Sequence, residues 1–220
     1  MSQNERDEIE AIARQNGAVL FGVARLLGAE DVSGDVSLGG LSTAIVFGYR
    51  LSDVVLDGID DHPTRTYQYH YRQVNLLLDH IGLLIAAHIQ GLGLRVFPVP
   101  SSQIVDWAAH KGHISHKAVA RLAGLGWIGR SNLLVNRDYG ARVRYASVLT
   151  DLELPYDTPC EADCGGCRHC IAACPGGAIG ETVTDFDLVK CLRTIDVLRQ
   201  KENLGSKICG ICVKVCTGRA

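Results

Sequence analysis

The chain is predicted to be an α+β protein in two parts, a larger mixed domain over residues 1–155 and a small cysteine-rich domain over 156–220. Three observations carry this. Helical periodicities and short β-branched runs alternate as far as Thr150. Composition then changes abruptly, and all nine cysteines fall between Cys160 and Cys216. At 220 residues the chain is also long enough for one sizeable core and a satellite.

Ser2 followed by Glu5 reads as a capping box, and Ile9, Ile12 and Ala13 recur at helical spacing until Gly17. Val19 to Ala24 and Thr43 to Tyr49 read as buried strands. Tyr67, Tyr71, Val74, Leu78, Ile81, Ile85 and Ile89 share one face of a long helix that Gly91 ends. Leu94 to Val99 reads as a strand, and Pro98, which cannot donate to a ladder, argues for a sheet edge or a strand end. Ile104 to Ala109 suggests a short helix, and Ser115 a cap for the helix His116 to Ala123. Asn132 to Val135 and Val143 to Thr150, with a turn at Asp138-Tyr139-Gly140, suggest a hairpin.

The net charge of −2 and the charged fraction of 21% are ordinary and show no nucleic-acid signature. The longest uninterrupted apolar run, Ile81 to Ala87, is far shorter than the roughly 18 residues of a membrane span. The polar start has no secretory pattern, so a cytoplasmic location with no membrane partner is expected. Gly124-x-Gly126-x-x-Gly129 follows a helix and not a strand, which removes the context of a dinucleotide fingerprint.

Cytosolic thiols are kept reduced, so nine cysteines point to metal ligation before disulfides. Cys164, Cys167, Cys170 and Cys174-Pro175 have the x2, x2, x3 spacing of bacterial ferredoxins, in which the fourth cysteine ligates the other of two clusters. A second motif supplies Cys191, Cys209, Cys212 and Cys216. The expected sets are Cys164, Cys167, Cys170 and Cys216 for one [4Fe-4S] cluster and Cys174, Cys191, Cys209 and Cys212 for the other. Cys160 is left as a spare thiol. Zinc prefers two separated ligand pairs and fits this crowding badly. Two such clusters move single electrons.

The stretch His116 to Arg130 (HKAVARLAGLGWIGR), Tyr139-Gly140-Ala141-Arg142, Thr150 to Leu154 and the cysteine run resemble the epoxyqueuosine reductases and, more distantly, the reductive dehalogenases. The resemblance implies a nitroreductase-like domain that binds cobalamin, fed by a ferredoxin-like domain with two [4Fe-4S] clusters. It sets Gly124, Leu125, Gly126, Trp127, Gly129 and Arg130, with the segment from Arg142 to Tyr145, against the corrinoid. Arg130, Arg142 and Arg144 would bind its phosphate. On the residues alone, the same glycines are turns and the same arginines solvated charges.

Two departures stand out. The family's proton-donating aspartate lies in an Asp-x-x-Pro-x-x-Glu-Arg motif, and ungapped counting puts His110, His113, His116 and Lys117 at its defining positions. His110 is then a substituted acid or an ordinary histidine, and Asp106 is a second candidate. A metal on His110, His113 and His116 is a further reading, although i, i+3, i+6 drifts off one helical face. The tRNA-acting relatives continue into helical repeats whereas this chain stops at Ala220, and this, with the net charge of −2, argues against tRNA as direct substrate. Expected partners are a reduced ferredoxin or flavodoxin-type donor and a small-molecule or corrinoid-protein acceptor. The function expected is a cobalamin-dependent reductase; the alternative is an electron-transfer or corrinoid-reducing protein without its own substrate.

Overall fold

Strands β1 (Leu20–Arg25) and β2 (Thr43–Arg50) pair antiparallel, with Leu20 opposite Gly48 and Arg25 opposite Thr43. The structure is a computed structural model and describes residues 2–26, 39–108 and 111–218. The remaining strands are β3 (Val96–Val99), β4 (Trp127–Ile128), β5 (Leu134–Val135) and β6 (Val143–Thr150). The main sheet has the order β1-β2-β6-β3. Its central strands read as near-continuous buried runs because both faces are covered, six residues of β2 being buried in succession. Pro98 sits in β3, an edge strand, where its missing N–H costs no ladder bond.

The helices are α1 (Ser2–Gln15), α2 (Asp53–Asp57), α3 (Arg65–Gly91), α4 (His116–Leu122), α5 (His169–Ala173), α6 (Leu188–Lys201) and α7 (Ile211–Val215). The molecule is thus a mixed helix and sheet protein. It divides into two compact units, each discontinuous in sequence: Met1–Tyr49 with Asn75–Leu125 and Arg144–Cys160, and Arg50–Val74 with Gly126–Val143 and Glu161–Ala220.

In the first unit, Asp157 ties the sheet to α1. Its carboxylate accepts the Val23 N–H at 2.7 Å and two bonds from Arg6 at 2.9 Å. Ser115 caps α4 by accepting the Ala118 N–H at 3.4 Å. α3 buries Tyr67, Val74, Leu78, Ile81, Ile85 and Ile89, the stripe expected of a core-crossing helix. By length and composition it is the one described helix that could cross a membrane, which the count of uninterrupted apolar residues passed over. The buried stripe and the charges of Arg72 and Asp79 suit a core helix of a packed protein.

Two expectations fail. Residues 104–108 form turns and not a helix, closed by an antiparallel bridge between Asp106 and Lys111. The hairpin is also different: β5 pairs with β4, Trp127 facing Val135, while β6 pairs with β3, Val96 facing Thr150. Strand patterns report burial and not partners, so a two-residue strand beside a turn misassigns its neighbour.

Candidate metal centre

The cysteine motifs build the same local structure twice. Each ends in a five-residue helix, α5 or α7, whose C-cap is a cysteine in extended conformation: Cys174 at ψ 111° and Cys216 at ψ 106°. Extended backbone at the cap turns the last cysteine out of the helix that carries the preceding one. Gly210, at φ +83°, starts α7 in a left-handed conformation.

The thiols gather accordingly. One cavity is lined by Cys164, Cys167, Cys170 and Cys216, together with Trp127, Gly129 and Arg130. Burial first, then Cys216, Cys164 and Cys167, pushes the Cys170 thiol up. Cys191 is pushed up to about 11 by burial and by Cys209 and Cys174. Cys212 is raised too, again by burial first and then by Cys209, Cys191, Cys174 and, last, Cys170 of the other group. Two groups of crowded, desolvated sulfurs cannot all ionise beside one another without positive charge between them. That donor set fits iron–sulfur clusters, whose iron supplies the charge.

N–H donors already face the sulfurs. The Trp127 indole Nε1–H donates to Cys164 Sγ and the Ala178 backbone N–H to Cys174 Sγ, each at 3.4 Å. Backbone hydrogen bonds from Ile211 to Cys209, and from Ala141 and Gly218 to Cys216, favour the thiolates of those two. Arg130 clamps the first loop: Nη2 donates to the Gly165 carbonyl and Nη1 to the Cys167 carbonyl, both at 2.9 Å, and Nε to the Glu181 carbonyl at 2.6 Å.

The residues assigned to a corrinoid have other uses here. Beyond the Arg130 clamp, Arg142 donates through Nε and Nη2 to the Lys214 carbonyl and through Nη1 to Asp53 Oδ1 at 2.9 Å. Arg144 donates to Asn75 Oδ1 at 3.1 Å and to the Ser101 carbonyl at 3.4 Å. A Cβ at Gly124 would stand 2.6 Å from the Thr158 carbonyl oxygen, and one at Gly126 would overlap the Val135 carbonyl. These glycines admit the chain's own backbone. Gly124, Gly126 and the three arginines are thus engaged by the chain itself; Leu125, half-buried, contributes a methyl 3.2 Å from where a Cβ on Gly22 would stand.

Of the candidate acids, His110 lies outside the described residues. Asp106 Oδ1 accepts the Ala108 N–H at 2.9 Å within its own turn. His116 cannot serve a metal, because Ser147 Oγ lies 2.9 Å from Nδ1 and the Pro100 carbonyl accepts from Nε2 at 3.1 Å. Of four buried side-chain polar atoms without a hydrogen-bond partner among the described residues, His113 Nδ1 and the Tyr145 hydroxyl are two. Sequence reading missed Trp127 and Arg130 as neighbours of the cysteines; the signal available was an indole N–H close to a cysteine-rich segment, which needs an acceptor once buried.

Burial pushes the His116 imidazole down to about 4 from 6.5, with the Arg144 charge adding to it against the Pro100 bond. Between these values the unfolded chain binds the extra proton, so stability falls as pH drops through that window. The loss at acid pH is expected to be on the order of 3 kcal/mol. Urea midpoints at pH 6.5 and pH 4.5 check it: the difference should shrink in His116→Gln.

No protein-family model matches the chain. It is 36% identical over 115 residues to the epoxyqueuosine reductase of Synechocystis sp., a match covering 48% of this chain and 39% of that one. The chain spans well under half the length of the curated relatives it matches. Among solved structures, a catabolic reductive dehalogenase superposes with a TM-score of 0.78 at 21% identity, over 100% of this chain and 33% of that one. An epoxyqueuosine reductase with a tRNA stem loop gives 0.65 at 18% identity, over 97% of this chain and 64% of that one. The likeness to the epoxyqueuosine reductases is in sequence and fold and to the dehalogenase in fold, which supports the resemblance to the epoxyqueuosine reductase-like superfamily.

Proposed function

We propose that this chain is an iron–sulfur reductase whose second unit holds two [4Fe-4S] clusters, one on Cys164, Cys167, Cys170 and Cys216 and the other on Cys174, Cys191, Cys209 and Cys212. The observation that carries this is the gathering of four thiols round one cavity, with the fourth drawn from the other motif. Each cluster would supply a one-electron couple when bound. The chain's part is to hold eight thiolates, shield them, and present N–H groups that steady added negative charge. In domain terms, the reading is a ferredoxin-like part joined to a nitroreductase-like one, as the resemblance implies.

Electrons from a ferredoxin or flavodoxin-type donor would then leave to an acceptor held by the chain. One reductive dehalogenase structure of similar fold suggests a mechanism for B12-dependent dehalogenation, and a corrinoid is the acceptor the resemblance implies. The nominated arginines already bind groups of the chain itself, and no step of the proposed electron path runs through a corrinoid. The buried Tyr145 hydroxyl and His113 Nδ1 are among the atoms able to receive a bound group. The expectation against tRNA finds no support, since a similar solved structure carries a tRNA stem loop. A tRNA stem loop therefore belongs among the acceptor classes to test.

Anaerobic reconstitution with iron, sulfide and hydroxocobalamin, followed by gel filtration, tests this reading. About eight irons per chain with stoichiometric corrinoid supports a corrinoid-using reductase. About eight irons without corrinoid retains the two-cluster module and removes the corrinoid. A chain without iron overturns the proposal.

A further inference from the structure

We infer that the Trp127–Arg130 segment is a wall of the Cys164, Cys167, Cys170 and Cys216 site, and that Trp127 sets the reduction potential of the cluster there. This rests on the two-cluster reading proposed for the chain. Trp127 is 7% exposed, and its only polar side-chain atom is an N–H that needs an acceptor. The acceptor is Cys164 Sγ at 3.4 Å. A thiol sulfur accepts weakly, whereas a cluster-bound thiolate carries charge and accepts well, so the pairing suits a ligand better than a free cysteine.

The rest of the segment serves the same site. Gly129 approaches so closely that a Cβ there would stand 3.2 Å from Cys164 Sγ and 2.6 Å from Val135 Cγ2. Arg130 fixes the loop by holding the Gly165 and Cys167 carbonyls on either side of it. Trp127, Gly129 and Arg130 all line the cavity that the four cysteines line. Arg130 is a positioning residue, and Trp127 acts on the electron-transfer step itself.

Reduction adds one electron to the cluster from a low-potential one-electron donor; no bond breaks and the indole keeps its proton. The extra negative charge strengthens the N–H···S bond, so the reduced state is stabilised more than the oxidised one and the potential is raised. The effect is confined to one cluster, because the indole faces one sulfur.

The test is an EPR-monitored redox titration of the anaerobically reconstituted full chain and of Trp127→Phe, which keeps the ring body and loses the N–H. The expected result is a lower midpoint for one cluster, an unmoved midpoint for the other, and unchanged iron content. Two unmoved midpoints at full iron content overturn the inference. Should Trp127→Phe lose iron, the unmutated chain decides: with 15N-indole tryptophan, pulsed EPR should show one indole nitrogen coupled to one cluster, and no coupling overturns it. The chain has a second tryptophan, Trp107, which is 66% exposed, so Trp107→Phe removes its signal without touching the site. An unmutated chain that holds no clusters fails the underlying reading instead.

Discussion

Cys174→Ser combined with Cys191→Ser should leave about four irons of about eight if, as proposed, the two residues ligate the same cluster. The expectation follows from the caps. Cys174 closes α5 in extended conformation, and its sulfur acts on Cys191, Cys209 and Cys212. If each motif ligated its own cluster, Cys174 would belong with Cys164, Cys167 and Cys170, and the double variant would strip both sites. Iron and sulfide assays separate about four from none. Cys170→Ser with Cys216→Ser is the mirror test, since Cys216 acts on Cys170 across the two motifs. That pair should also keep about four irons, this time in the site that Trp127 does not face.

Gly140→Ala should destabilise the protein by roughly 3 kcal/mol and empty the same first site. Gly140 sits at φ +60° in the turn after β5, a conformation that a Cβ disfavours by about 1 kcal/mol. The added carbon would also overlap the Cys216 carbonyl oxygen and crowd the Gly218 backbone nitrogen at 2.6 Å. Neither is the end of a flexible side chain, so relief requires the backbone that carries Cys216 to move. Thermal unfolding and iron content read the two effects together. Gly166→Ala is the control: it lies between Cys164 and Cys167, yet a Cβ there meets nothing within 4 Å, and both readouts should hold.

How far the sequence could be read depended on which signal was local. The stripe from Tyr67 to Ile89 on α3 and the placement of Pro98 at a sheet edge follow from periodicity and from a missing donor, both properties of a few neighbouring residues. Cysteine spacing is similarly local, because loop geometry limits which thiols can converge. Strand partners are not local, and the β4–β5 pairing escaped the reading for that reason. The arginines show the same limit at the site. Nothing in Arg142 or its neighbours in sequence reveals that its guanidinium meets the Lys214 carbonyl, 72 residues away. Resemblance nominated these arginines for a phosphate, whereas the folded chain uses them to hold its own backbone.

His116 teaches a related point. Counting against the family's motif put His116 where a glutamate is usual, and a metal on His110, His113 and His116 was one reading of that spacing. The structure encloses it between Ser147 and the Pro100 carbonyl, where burial keeps it neutral. Its charge change is therefore coupled to unfolding more than to any ligand.

On the proposed function, eight of the nine cysteines hold two [4Fe-4S] clusters. Mössbauer spectroscopy of the 57Fe-reconstituted full chain, with iron and sulfide assayed on the same sample, decides this. The predicted result is about eight irons and about eight sulfides per chain, all iron in the [4Fe-4S]2+ signature before reduction. About four irons, mononuclear iron in a thiolate site, or zinc in place of iron would contradict it.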